Sequence, residues 1–273
     1  MSNDFLRIAK KIKELVRQNL PSEKKKLKAL QLEKEQQKYK TNLLLYEISQ
    51  GGMPHVMNGP FQGMKYIATA NGSQLLPKIL GSYEEPIHEW VRERVLSWHY
   101  QTIIDVGCAE GYYAVGFALK SPKSKIIAFD IDTSALANAK QLAMINKVNF
   151  RVEFSERFDA AVISSELETE KEKKILIFMD IEGAELDLLD SRKNKSLLSC
   201  DILVELHDCF IPGLTEKVIS FFSETHKIEI IVDYPWREGE YNKEKHLLSQ
   251  EDLSFCMDER RPKEMRWMFA KKK

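Results

Sequence analysis

IIDVGCAEGYYAVG, residues 103–116, runs from an apolar stretch through Asp105 into a glycine turn and out into an amphipathic segment. An apolar strand ending in a glycine turn that opens a helix is the first half of a βαβ unit. The rhythm continues on both sides. EEPIHEWVRERVL, upstream, reads as a helix with Pro86 in its first turn. Downstream, KIIAFDI (125–131), NFRVEF (149–154), KILIFMD (174–180) and DILVEL (201–206) read as strands. The helical patterns SALANAKQLAMINK, GAELDLLDS and LTEKVISFFSE lie among and after them. Short apolar strands alternating with helices predict an α/β domain built on a mostly parallel sheet. KIEIIVDY (227–234) and MRWMFAKK (265–272) predict a closing antiparallel pair, with the helix SQEDLSFCMD between them.

The first 82 residues differ. Phe5, Ile8, Ile12 and Leu15 keep helical spacing, and 22–48 reads as mainly helical. Residues 51–82, rich in Gly, Pro and Asn, read as loops and short elements that wrap the following domain. Their glycines suit a lid, and His55 is a candidate to enter a site from there. The expected organisation is a helical and loop extension over 1–82 and a catalytic-type domain over 83–273.

Among 273 residues, 41 basic side chains balance 41 acidic ones, so no whole-protein field favours nucleic acid or an anionic membrane. The exception is positions 1–40, where twelve Lys/Arg face five Asp/Glu. The four cysteines have neither zinc spacing nor the density of a disulfide framework, and read as reduced thiols. The start MSNDFLRIAKK has no signal-peptide core and no stretch is apolar enough to insert in a membrane, so a cytoplasmic protein is expected.

GCAEG is not the GxGxxG of dinucleotide-binding domains, since Ala109 stands at the middle position. DVGCAEGYYAVG resembles motif I, (D/E)xGxxxG, of the class I S-adenosylmethionine-dependent methyltransferases. That resemblance implies a Rossmann-like methyltransferase fold with S-adenosyl-L-methionine as cofactor. By it, Gly107, Cys108, Ala109 and Gly111 line the methionine and ribose portion, and Asp105 holds the turn or the amino-acid end. It also implies that Asp130 binds the ribose hydroxyls and that Ile131 flanks the adenine. A carboxylate at that strand end can accept from two hydroxyls. Asp159, after RVEFSERF, is the candidate for the adenine amino group.

FMDIEGAELDLL followed by DILVELHD more narrowly resembles the FkbM-type methyltransferases, whose D-x-E-G-x-E segment stands at this strand end. That implies methylation of hydroxyls, often on sugars or natural products. From the residues themselves, Asp180 and Glu182 face the crevice, whereas Glu185 and Asp187 need only a helix start and solvent. Glu205 and His207 share one side of their strand and Asp208 is free to turn into the cleft. Asp180, Glu205 and Asp208 form a candidate site for Mg²⁺ or Mn²⁺. His207 is the leading general base, because its pKa range suits neutral pH, and Asp180 the competing one. Glu182, Trp236 and Arg237 are candidate acceptor contacts, with Tyr241, Arg260, Arg261 and Trp267 nearby in sequence.

The preferred function is O-methylation of a hydroxyl on a saccharide or other small molecule. The alternatives are an RNA or other nucleic-acid methyltransferase, and a noncatalytic S-adenosylmethionine-binding protein. No base-amine motif such as DPPY or NPPY and no net positive charge speak against nucleic acid. A small-molecule or glycan acceptor is the expected partner, and homo-oligomerisation stays open.

Overall fold

The computed structural model describes residues 22–169, 173–234, 237, 241, 247–261 and 265–273. The expected helix at 4–19 lies outside them. The chain forms two compact units, Met1–Gly51 and Gly52–Lys273. In the first, helix α1 (Ser22–Ser49) covers the segment read as helical. The boundary differs from the one expected at 82/83, because residues 52–82 bury their own apolar side chains within the second unit.

That burial is substantial. Val56, Phe61, Met64, Tyr66, Ile79 and Leu80 are all inaccessible. Helix α2 (Leu75–Leu80) is short and wholly buried. Phe61 packs edge-on against Tyr112, Tyr113 and Phe117 at 5.3, 5.6 and 5.5 Å. The ring fits because position 116 is glycine: a Cβ there would meet the Phe61 ring at 2.5 Å. Phe61→Ala therefore removes a fully enclosed ring, and is expected to cost about 3–5 kcal/mol in urea unfolding. A loss below about 1 kcal/mol would show that residues 52–82 are a detachable cover.

A continuous helical stretch α3 (85–96) follows, passing from a 3-10 turn through an α-helical turn into a π-helical one. Within it His88 is buried, and its Nε2 donates to the Tyr83 carbonyl at 2.9 Å. Burial holds its pKa down at about 4, against the pull of that hydrogen bond; Arg92 and Arg237 push it down further. The unfolded chain takes up the proton near pH 6.5, so this histidine's contribution is complete above that value. It is lost as pH falls from about 6.5 to about 4, and amounts to about 3 kcal/mol. Unfolding at pH 7 and pH 4.5 should show that slope, and His88→Gln should flatten it.

The sheet has the order β3-β2-β1-β4-β5-β7-β6. Strands β1 (Thr102–Val106), β2 (Lys125–Phe129), β3 (Val152–Ser155), β4 (Ile175–Met179) and β5 (Asp201–Leu206) pair in parallel. β6 (His226–Asp233) and β7 (Met265–Lys272) close the sheet antiparallel, β7 lying between β5 and β6. β1 and β4 are buried at every position, as a parallel strand covered on both faces must be. Helices α4 (Tyr112–Lys120), α5 (Thr133–Ile145), α6 (Ala161–Thr169), α7 (Glu185–Leu188), α8 (Leu214–Phe222) and α9 (Gln250–Met257) supply the connections.

Two elements depart from the sequence reading. Helix α6 had no apolar period to announce it, since only Ile163 and Glu166 are buried. Ile163 seats it in the core with Val162 and Leu167 beside it, and Glu166 adds an ionic anchor, accepting from Thr102 and pairing with Lys173 and Lys125. α7 is a single turn rather than the longer helix expected of GAELDLLDS.

Chain order reverses between β1 and β4, and an open α/β sheet binds ligands outside the strand ends at such a point. Register makes the geometry definite. Val106 pairs with Met179, and Met179 with Val204. The residues following these partners (Gly107, Asp180 and Glu205) therefore emerge side by side.

Candidate active site

At this point the protein opens into a cavity of about 510 Å³. Its lining includes Asp105, Gly107, Cys108, Ala109, Asp130 and Ile131 on one side, and Asp180, Glu182, Glu205 and His207 on the other.

The glycine turn is held from two directions. The amides of Gly107 and Cys108 both donate to the Phe129 carbonyl, at 2.8 and 2.9 Å. Ala109 sits at φ +46°, a left-handed conformation costly for a residue with a Cβ, and its amide donates to Asp130 Oδ2 at 2.7 Å. Asp130 Oδ1 accepts from Asp132 at 2.8 Å. Asp130 thus ties the two strand ends together, and each oxygen keeps acceptor capacity for a ligand. Ile131 is 84% exposed while lining the cavity, an apolar wall open to a flat ring. Asp105 is buried and its Oδ2 has no partner. Burial, with Asp130 nearby, pushes its pKa up to about 8. An unpaired buried acceptor at a cavity wall calls for a donor, and most of all a cationic one.

Asp159 does not join this side. It is exposed and accepts from the Ala161 amide at 2.8 Å, starting α6. Glu156 and Phe158 line the cavity instead.

The region before β1 contributes as well, through Asn71, Gly72, Ser73, Lys78 and Tyr83. The buried Lys78 ammonium lies 2.5 Å from Glu110 Oε1 and 4.7 Å from the Tyr83 ring centre. Glu110 also accepts from the Tyr66 hydroxyl and the Asn71 amide, so this wall is fixed to motif I itself. His55, by contrast, is exposed and lies outside the cavity lining.

On the opposite side His207 is buried at the end of β5. Its Nδ1 meets Glu185 Oε1; its Nε2 lies 3.4 Å from Glu205 Oε2 and 3.6 Å from Asp180 Oδ1. Burial alone would favour the neutral ring. The hydrogen bonds to Glu185 and Glu205, with the charges of Glu205 and Asp180, outweigh it and raise the pKa to about 11. Both ring nitrogens are turned to carboxylates, which favours the charged ring in the metal-free site and leaves it poorly placed as a general base. Asp180 is pushed well up, first by burial and then by Glu205 and Glu84.

Glu185, read from the sequence as a solvated helix-start acid, is fully inaccessible. Its Oε1 also accepts from the Gly183 amide at 3.1 Å. Nothing in the sequence period marks it as buried; its separation of twenty-two residues from His207 becomes contact only through the register of β4 and β5.

Asp180, Glu205 and His207 each offer a ligand atom, all within 4.8 Å of one another, and form the metal-capable grouping among the described residues. Asp208 is not part of it. Its carboxylate accepts from the Thr215 amide at 3.3 Å and from the Thr215 hydroxyl, which ties it to α8. Nor is Arg237 an acceptor contact. Its buried guanidinium pairs with Asp233 at 2.9 Å and with Glu259 at 2.7 Å. Trp236 lies outside the described residues. Tyr241 is buried and donates to Glu85 at 3.1 Å, and Trp267 packs beneath Phe178 at 5.4 Å. Arg260 and Arg261 do line the cavity.

The family model for a methyltransferase domain matches residues 100–196, from just before β1 into the segment after α7. The chain carries a methyltransferase domain. The fold is the Rossmann-like one of S-adenosylmethionine-dependent methyltransferases, with a mixed sheet and an N-terminal helical extension.

Solved structures of similar fold include a human methyltransferase 10 domain containing protein, at 11% identity and TM-score 0.48, covering 86% of this chain and 96% of that one. An O-methyltransferase from Bacillus cereus in complex with SAH is 12% identical at TM-score 0.43, covering 67% and 80%. An rRNA methylase from Streptococcus thermophilus is 14% identical at TM-score 0.42, covering 69% and 97%. No curated protein matches the chain in sequence. The matching model is a general methyltransferase domain, and this overturns the narrower FkbM-type assignment. The D-x-E-G-x-E segment brings Asp180 and Glu185 to opposite ring nitrogens of His207. Among the described residues, no helix is long and apolar enough to cross a membrane.

Proposed function

We propose that this methyltransferase domain methylates a hydroxyl oxygen of a small, uncharged polyhydroxylated molecule such as a saccharide, assisted by Mg²⁺ or Mn²⁺. The observation that carries the reading is the grouping of Asp180, Glu205 and His207 in one cavity with motif I.

Residues on the motif I side fit the cofactor. The orphaned Asp105 Oδ2 suits an ammonium, Asp130 suits ribose hydroxyls, and Ile131 suits one face of a purine. When bound, S-adenosylmethionine supplies a methyl carbon made electrophilic by its sulfonium. A hydroxyl aligned with that carbon must lose its proton as the O–C bond forms and the C–S bond breaks. Asp180 lies at the cavity wall, where a carboxylate oxygen is placed to take that proton.

The buried charges support a cation. Among the described residues, Glu84, Asp180, Glu185 and Glu205 cluster around the positive groups of His207 and Arg261. A divalent ion at His207 Nε2 would replace the proton there and restore balance, and would lower the pKa of a coordinated hydroxyl. Carboxylate and imidazole are donors that suit Mn²⁺, and with water ligands Mg²⁺.

The mouth supports that acceptor class. Of the described residues, Asp132, Glu156 and Glu182 are exposed at the lining against one exposed cation there, Arg260, whereas Lys78 and Arg261 are engaged in ion pairs. A cavity of that sign welcomes a cationic cofactor and repels a phosphodiester chain.

The test is methyl transfer from labelled S-adenosylmethionine into a panel of sugars, polyols and phenols, with bulk RNA as a competing acceptor. Labelling of a hydroxyl compound is expected, suppressed at least about tenfold by EDTA and restored by added Mn²⁺ or Mg²⁺. Full activity in EDTA would remove the cation from the account. Label in RNA would replace the acceptor class.

A further inference from the structure

The turn after α9 brings Glu259, Arg260 and Arg261 to the cavity, far in sequence from motif I. Arg261 is 9% exposed at its side chain and meets four carboxylates from separate parts of the chain. Its Nη2 lies 3.0 Å from Glu84 and 3.2 Å from Asp233, its Nε 2.9 Å from Glu259, and its Nη1 pairs with Glu205 Oε1. Three of these contacts brace the guanidinium against the protein. Glu84 is itself fixed, because Tyr113 donates to its other oxygen and its own amide donates to Glu259 at 3.0 Å.

The fourth contact has a directional effect. With Oε1 engaged by Arg261, Glu205 keeps Oε2 turned to His207 at 3.4 Å, on the cavity side. A carboxylate on a flexible side chain would otherwise distribute its two oxygens over several rotamers. A planar fork with fixed donors restrains it where a lysine ammonium would not.

We propose that Arg261 is a positioning residue, which locks the Glu205 carboxylate so that Oε2 faces the reaction centre. The C-terminal turn is thereby part of the machinery that completes the acceptor-side site. The proposal rests on the cation reading for its binding consequence, but its geometric consequence is independent of it. Arg261 touches neither reacting atom nor methyl donor in this role; it acts through Glu205.

Arg261→Lys keeps the charge and removes the fork. Three readouts are compared in the full-length protein: Mn²⁺ affinity by calorimetry, S-adenosylhomocysteine affinity, and the ¹⁵N resonances of His207. The expected result is Mn²⁺ binding weakened about 10- to 100-fold, with S-adenosylhomocysteine affinity changed less than about twofold. The His207 Nε2 resonance should shift while Nδ1, held by Glu185, stays in place. If wild-type protein binds no Mn²⁺, the cation reading fails, and the Nε2 shift alone decides the positioning role. Unchanged Mn²⁺ affinity with an unchanged Nε2 resonance overturns the proposal. Parallel loss of both ligands, or failure of Arg261→Lys to fold, shows a merely structural arginine and also overturns it.

Discussion

Gly107→Ala is expected to lose about 3 kcal/mol or more of folding stability, and to be the most damaging single-methyl change in the motif I turn. Gly107 holds φ at +86°, where a side chain is strained by about 1–2 kcal/mol before any contact is considered. The contact is worse than the strain. A Cβ at this position would stand 1.8 Å from the Asp180 carbonyl oxygen and 2.8 Å from its carbon. Both are backbone atoms at the exit of the neighbouring strand, so relief requires β1 and β4 to part where their ends define the cavity. The Asp180 amide, which donates to the Val106 carbonyl at 3.0 Å, is the last link between these strands. Urea unfolding of wild type and variant measures the effect. A loss within about 1 kcal/mol would mean that the two strand ends are less tightly joined than described.

His207→Ala is expected to cost about 3–5 kcal/mol and to abolish methyl transfer. The reason is the charge left behind. Glu185 is fully inaccessible and Glu205 nearly so, and the imidazolium is the positive group between them. Truncation leaves Glu185 Oε1 with only the Gly183 amide, while Oε2 has no partner even in the intact protein. The conservative change Glu185→Gln separates stability from activity. It keeps an acceptor for the ring and for Gly183, so a loss on the order of 1–2 kcal/mol is expected. Activity should still fall about 10- to 100-fold, because the ring is no longer held as firmly or as strongly polarised. If His207→Ala unfolds within about 1 kcal/mol of wild type, the ring is not the buried counter-ion described.

Much of this architecture was legible in the chain. TIIDV, DILVEL and MRWMFAKK coincide with β1, β5 and β7, since buried strands bounded by turns leave a plain apolar signature. The antiparallel closing pair also stood where it was read. The glycine turn was read at Gly107 and Gly111, of which Gly107 lines the cavity while Gly111 packs against Ala139, and Asp130 was read from its place at the next strand end. What escaped was long-range polar contact. Glu185 looked like a helix-start acid because period and propensity say nothing about an imidazole twenty-two residues away. Asp208 and Arg237 looked available because charged residues beside a crevice do not announce Thr215, Asp233 or Glu259 as partners. Asp159 failed for a local reason: its short side chain is placed to take the amide two residues on. The role of 52–82 was half visible. Its glycines suggested a cover, whereas Phe61 set against Gly116 makes it part of the core.

The most direct test of the account is calorimetric titration of S-adenosylhomocysteine into the full-length protein, with Asp105→Leu alongside. Asp105→Leu keeps the branched four-atom side chain without a carboxylate. The account predicts one site per chain in the wild type, and at least about tenfold weaker binding in the variant, which loses the acceptor aimed at the ligand's ammonium. Absence of binding to wild-type protein, or equal affinity for both, would contradict it.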